Sequence, residues 1–104
     1  MVEQSQIDRL GMGAARVGLL LNPLSGRIRK RIDVVRHMLT EIPAATCREA
    51  TNALEIGAAV DAFLQADIDL LVIIGGDGTV QTVLIHLFTT RPAKWPVLTI
   101  VPGG

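Results

Sequence analysis

Aromatic residues make up only 3% of this 104-residue chain, cysteine occurs once, and the ten Lys and Arg are balanced by ten Asp and Glu. Each shortage excludes something. With so few aromatic rings, the core must be built from Val, Ile, Leu and Ala, as in sheets covered by helices on both faces. A lone Cys47 can form no internal disulfide and no cysteine-based metal cluster, so a reducing interior is the default compartment and a cytoplasmic location is expected. A zero net charge gives no sign of a nucleic-acid binder or a polybasic membrane anchor. Apolar runs such as Leu70 to Ile74 fall far short of the roughly 20 residues that span a bilayer. There is no internal repeat and no Walker A pattern.

What is present alternates in character along the chain. Residues 1–15 mix charged and polar side chains and read as a flexible lead-in, and residues 16–104 read as one α/β domain. Arg16 to Leu21 is a short apolar strand that stops at Asn22-Pro23. Ile28, Ile32, Val35 and Leu39 follow at helical spacing and predict one helix ending near Pro43. Ala45 to Glu49 forms a weaker extended segment, and Asn52 is placed to cap a helix carrying Ile56, Val60, Phe63 and Leu64. Leu70 to Ile74 reads as a strand buried on both faces, a helix from Thr79 should finish before Arg91-Pro92, and Val97 to Val101 closes the series. Strand and helix in alternation predict a parallel sheet with helices on both faces, a Rossmann-like three-layer α/β/α arrangement.

In such a sheet the loops leaving the strands' C-terminal ends share one edge, where ligands bind. Those loops carry the unusual residues: Asn22-Pro23-Leu24-Ser25-Gly26, then Gly75-Gly76-Asp77-Gly78-Thr79, then Pro102-Gly103-Gly104. Glycine permits close approach and positive φ, so successive N–H groups can cradle phosphate oxygens, and the first two loops open into helix N-termini that favour anions. The three loops are expected to form one pocket. Ser25 and Thr79 add hydroxyls there and could equally cap their helices.

Arg27, Arg29, Lys30 and Arg31 place four of the ten cations within five residues, at a helix start where cations oppose the dipole. Arg27 is read as facing a phosphate and the other three as solvated. Asp77, a carboxylate amid inward-facing amides, would be repelled by phosphate unless a metal ion or substrate hydroxyl lay between them. It could hold Mg²⁺ through water, accept a proton from an attacking hydroxyl, or merely bond its own turn. His37, His86, Trp95 and Cys47 are read as structural or packing residues.

These three loop motifs together resemble the diacylglycerol kinase catalytic domain family, which includes sphingosine kinases and is related to NAD kinases. The resemblance spans nearly the whole chain. It implies an ATP-dependent lipid kinase, with Mg²⁺ as cofactor and a lipid hydroxyl as acceptor at a membrane surface. By the same resemblance Asn22, Pro23, Ser25, Gly26, Arg27, Thr51, Gly75, Gly76, Asp77, Gly78, Thr79, Gly103 and Gly104 would bind nucleotide, with Asp77 as the catalytic and metal-handling residue. Val80-Gln81-Thr82 departs from the family's hydrophobic-Asn-Glu continuation. The resemblance further implies a β-rich second domain that this chain does not contain, so the chain alone is expected to be inactive and to expose an apolar surface prone to self-association. An NAD kinase or sugar-phosphate kinase relative, and a silent nucleotide-binding module, are the alternatives.

Overall fold

The computed structural model describes residues 2–11, 15–42 and 45–103. Its elements run α1 (Gln4–Gly11), β1 (Val17–Leu21), α2 (Gly26–Lys30), α3 (Ile32–Thr40), β2 (Ala45–Glu49), α4 (Ala53–Gln65), β3 (Leu70–Gly75), α5 (Asp77–Thr90) and β4 (Val97–Pro102). The four strands form one sheet in the order β2-β1-β3-β4, and every pair is parallel. The expected α/β architecture is therefore the observed one.

Period-two alternation along the strands sorts their side chains into two layers. Leu20, Leu71 and Ile73 face α4 and α5, where Ile56, Val60, Phe63, Val83 and Leu87 complete a buried cluster. Leu19, Leu21 and Ile74 face the other way, toward Ile28 of α2 and the half-buried Ile32, Val35 and Leu39. The register is consistent with this division, because Leu20 lies beside Ile73 and Leu21 beside Ile74. Full burial of such side chains contributes about 1.5–3 kcal/mol each. Gly18 belongs to the Phe63 side: a Cβ there would come within 2.7 Å of the Phe63 ring, so the strand gives up a side chain to seat the largest core residue.

Four expectations need correction. The lead-in contains a helix, α1, whose anchors are polar rather than apolar. Gln6 is fully buried and donates to the Trp95 carbonyl at 2.9 Å, while Arg9 grips the Asp69 carboxylate with two hydrogen bonds. The helix expected from Ile28 to Leu39 is broken at Arg31, whose φ of −130° interrupts it, and the Arg31 N–H turns back to the Ile28 carbonyl at 3.0 Å. The apolar stripe continues across that break, which is why spacing alone reads as one helix. Cys47 is exposed rather than packed, because β2 is an edge strand. The third long helix starts at Asp77, two residues earlier than Thr79, with Gly76 as its N-cap.

Asn52 does cap α4, accepting from the Glu55 N–H at 2.9 Å. His86 lies 2.7 Å from the Asp61 carboxylate and ties α5 to α4, and Trp95 packs edge-on to Phe88 at 5.1 Å between ring centres. Pro43, the expected helix end, lies outside the described residues.

Asp69 is the hub at the N-terminal end of the sheet. Its side chain is 0% exposed, and it accepts from Arg9 and from the Arg16 N–H at 2.9 Å. The Arg9 hydrogen bonds, helped by that backbone donor, hold its pKa down at about 2 against an ordinary 3.8. A depressed carboxylate pKa stabilises the fold above the unfolded-state value, and the benefit is lost as pH falls through the folded-state value. Asp69 is thus expected to contribute about 2 kcal/mol near neutrality, lost between roughly pH 4 and pH 2. Asp69→Asn should cost about 3 kcal/mol and remove that part of the acid dependence. Urea melts of both proteins at stepped pH check this; parallel acid profiles would refute it.

Candidate active site

The order β2-β1-β3-β4 places a topological switch point between β1 and β3, the position where open parallel sheets bind ligands at their C-terminal edge. The loops leaving those two strands are the Asn22–Gly26 and Gly76–Asp77 segments. They are joined by direct bonds. Asn22 Nδ2 donates to Thr79 Oγ1 at 2.9 Å, and the Gly76 N–H donates to Ser25 Oγ at 3.2 Å. Asn22 Oδ1 also accepts from the Leu24 N–H at 3.0 Å, which shapes the turn. Asn22 and Ser25 therefore set the relative position of the two loops.

Gly75 explains why the packing is so close. A Cβ at this position would lie 2.9 Å from Thr79 Oγ1 and 3.2 Å from Ser25 Oγ, so any side chain would push the loops apart. None of Gly75, Gly76, Gly78 and Gly103 has a positive φ, so the left-handed backbone expected in these loops is not used there; close approach is what Gly75 supplies. Ser25 is the residue before α2 but forms no side-chain cap, and Thr79 lies in the first turn of α5 rather than at its cap.

The third loop joins differently from expectation. The Gly103 carbonyl accepts from the Arg27 N–H at 2.9 Å and from the Ile28 N–H at 3.4 Å, and the Gly103 N–H donates to Gly75 O at 3.0 Å. Gly103 is buried behind the site, where a Cβ would collide with Ile28. It occupies the Arg27 and Ile28 N–H donors at the α2 N-terminus. Gly104 lies outside the described residues.

Two hollows result where one pocket was expected, meeting at Gly76. The first, about 460 Å³, is lined by Asn22, Ser25, Gly26, Thr51, Gly76, Gly78 and Thr79, with Asn52, Ala53, Ile56 and Thr82. Its lining mixes polar and apolar groups and carries no charged side chain. The second, about 300 Å³, is lined by Arg27, Gly75, Gly76, Asp77, Val80, Ile100 and Pro102. Pro23 lines neither.

Thr51 donates its hydroxyl to Glu55 at 2.9 Å, and Thr82 donates to the Gly78 carbonyl at 2.8 Å. Asn52, Ala53, Ile56 and Thr82 are lining residues that the motifs do not contain. Their signal is positional: the β2 exit lies beside the β1 exit on the same sheet edge, and Thr82 stands one turn beyond Gly78.

Between the hollows stands the N-terminus of α5. Thr79 and Val80 donate to the Gly76 carbonyl at 3.1 and 3.2 Å, whereas the N–H groups of Asp77 and Gly78 have no acceptor among the described residues. A Cβ at Gly78 would meet nothing within 4 Å, so open space lies over this turn. The Asp77 side chain is exposed and accepts no hydrogen bond among the described residues, so the alternative in which it merely bonds its own turn is not realised. Arg29, Lys30 and Arg31 are exposed and lie outside both hollows.

A parallel α/β sheet with joined loops and a bare carboxylate at its switch point has the layout in which open sheets of this kind hold a ligand. Residues 16–104 match the diacylglycerol kinase catalytic domain, and the chain belongs to that family. No curated protein sequence is significantly similar. Among solved structures, a diacylglycerol kinase from Bacillus anthracis strain Sterne superimposes with a TM-score of 0.67 at 25% identity, over 86% of this chain and 33% of that one. A second structure, of a candidate diacylglycerol kinase from the same strain, gives 0.67 at 24% identity, over 86% of this chain and 31% of the other. The chain thus spans about a third of the length of these relatives.

Proposed function

We propose that this chain forms the ATP-binding half of a lipid kinase that transfers the γ-phosphoryl group of ATP to a lipid hydroxyl, diacylglycerol or a close relative. The observation that carries the nucleotide part is the open α5 turn, where two N–H groups without acceptors stand beside Gly78 and Asp77. The polyphosphate is assigned to this turn and to the hollow holding Arg27, whose guanidinium offers charge-assisted donors. The uncharged hollow is assigned to the remainder of the nucleotide, with Thr51, Asn52 and Thr82 within reach of its polar groups.

Asp77 fits a role with Mg²⁺, since its carboxylate is exposed and unengaged beside the phosphate donors. Mg²⁺ commonly takes one or two carboxylates with substrate phosphates and water completing its shell, so the lack of a group of three acidic, His or Cys ligands among the described residues is no obstacle. When bound, Mg²⁺ neutralises charge on the phosphate oxygens. The chain's own residues then hold and orient: Ser25 and Asn22 fix the loops, Gly75 keeps them close, and the α5 N-terminus stabilises the transferring group. On this reading Asp77 also accepts the proton of the attacking hydroxyl.

No described helix is long and apolar enough to cross a membrane. On this reading the full-length protein meets its lipid peripherally at the inner membrane surface, through a β-rich second domain like that of the family. One wall of a cleft cannot exclude water or fix an acceptor, so residues 1–104 alone should show no appreciable kinase activity. Assaying the full-length protein with labelled ATP against diacylglycerol and against NAD tests the assignment. A phosphorylated lipid is the expected product. Phosphorylated NAD would place the protein with the soluble-acceptor kinases, and ATP binding without any product would make it a silent nucleotide module.

A further inference from the structure

The hydroxyls of Ser25, Thr51, Thr79 and Thr82 line the uncharged hollow, and their internal bonds give them opposite polarities. A main-chain N–H can only donate, so the Leu24 N–H at 3.0 Å identifies the Asn22 atom it meets as the amide oxygen. The other end of that amide is therefore the NH₂ group, and Thr79 Oγ1, at 2.9 Å, has to accept from it. Ser25 Oγ is held in the same way, accepting from the Gly76 N–H at 3.2 Å. Neither hydroxyl gives its own proton to an acceptor among the described residues, although Thr79 is only 5% exposed. Both oxygens lie within 3.2 Å of the position a Gly75 Cβ would take, so the two donors flank one spot. Thr51 and Thr82 are the reverse case: their protons go to the Glu55 carboxylate and the Gly78 carbonyl, which leaves them lone pairs to offer.

We propose that Thr79 and Ser25 are specificity-determining donors, which require a hydrogen-bond acceptor on the ligand where it meets them, and that Asn22 is a positioning residue that turns the Thr79 proton toward the hollow. Both ends of the Asn22 amide are engaged within the protein, so its part in nucleotide binding is indirect. A nearly buried hydroxyl proton without an acceptor is unfavourable, and a ligand acceptor relieves it. These roles rest on the nucleotide reading of the site and give the chemistry by which the hollow selects. With the polyphosphate at the α5 turn, the acceptor is a ring nitrogen or sugar oxygen of the nucleoside; a phosphate oxygen is the other source of the same chemistry.

Calorimetric titration of the full-length protein with ATP and with inorganic tripolyphosphate, both with Mg²⁺, tests these roles. Thr79→Val, close in shape, should weaken ATP about tenfold, while Thr79→Ser, which keeps the hydroxyl, should stay within about threefold of the parent. Ser25→Ala should weaken ATP roughly fivefold. Tripolyphosphate affinity is expected to be unchanged in Thr79→Val; an equal loss there supports the donors but makes the acceptor a phosphate oxygen. Asn22→Asp keeps the Leu24 bond yet offers Thr79 an acceptor in place of a donor, which draws the hydroxyl proton away from the hollow. Its added charge repels ATP whatever stands at position 79, so positioning shows as coupling: the loss should be about tenfold greater in the parent than in the Thr79→Val background. If Thr79→Val does not fold, Thr79→Ala takes its place in both comparisons. Parent-like ATP binding by the position-79 variant and by Ser25→Ala, or an Asn22→Asp loss of equal size in both backgrounds, would overturn the proposal while leaving ATP binding intact. No ATP binding by the parent would remove the nucleotide reading, and these roles with it.

Discussion

Replacing Asp77 by Asn in the full-length protein is expected to lower lipid phosphorylation by about 10²–10⁴-fold, the range contributed by a positioned acid or base. The side chain is exposed and makes no hydrogen bond among the described residues, so the packing described does not depend on it. Its contribution to the fold is limited to a negative charge in the first turn of α5, worth about 0.3–1 kcal/mol against the helix dipole. A variant that melts within a few degrees of the parent yet fails to turn over would assign the loss to chemistry. Initial rates with ATP and diacylglycerol, alongside thermal melts, make the comparison. Near-normal turnover would remove Asp77 from the mechanism.

Gly78→Ala separates fold from binding in the opposite way. A methyl group at Gly78 meets no protein atom within 4 Å, and its backbone is helical with no positive φ, so alanine is tolerated and should stabilise α5 by roughly 0.5–1 kcal/mol. The open space it fills is the approach to the Asp77 and Gly78 N–H groups. Hydrogen bonds to a charged group contribute about 1.5–3 kcal/mol, so displacing phosphate from that turn should weaken ATP about 10- to 100-fold. Isothermal titration of the two proteins decides the matter. An unchanged Kd with raised stability would mean that phosphate does not bind there. Gly75→Ala is no substitute, because it would collide with Thr79 and Ser25 and perturb the loops themselves.

The sheet was legible because its signal is local: apolar runs such as Leu70 to Ile74 bounded by turn residues, alternating with helical spacing, leave few architectures. Ser25 and Asp77 could be placed on one edge by the rule that parallel strands share their C-terminal end, and the hydrogen bond from Gly76 to Ser25 brings their loops together. What could not be read depended on contacts distant in sequence. α1 is held by Gln6 and Arg9 reaching residues 60 or more positions away, and no periodic pattern marks such polar anchors. The division of the site into two hollows has a similar origin. It turns on Gly103 bonding back to Arg27, Ile28 and Gly75, a detail of main-chain pairing that the letters Pro-Gly-Gly do not encode. The break at Arg31 was hidden for a different reason, since Ile28 and Ile32 remain on one apolar face across it.

The most direct test of the nucleotide site is a titration of the isotope-labelled chain with Mg²⁺ and ATP, followed by amide chemical shifts. Binding at the C-terminal edge predicts that the signals of Ser25, Gly76, Asp77, Gly78 and Thr79 move together and saturate, while those of Gln6, Arg16 and Trp95 at the opposite end stay in place. Shifts confined to that opposite end, or none at millimolar nucleotide, would contradict it.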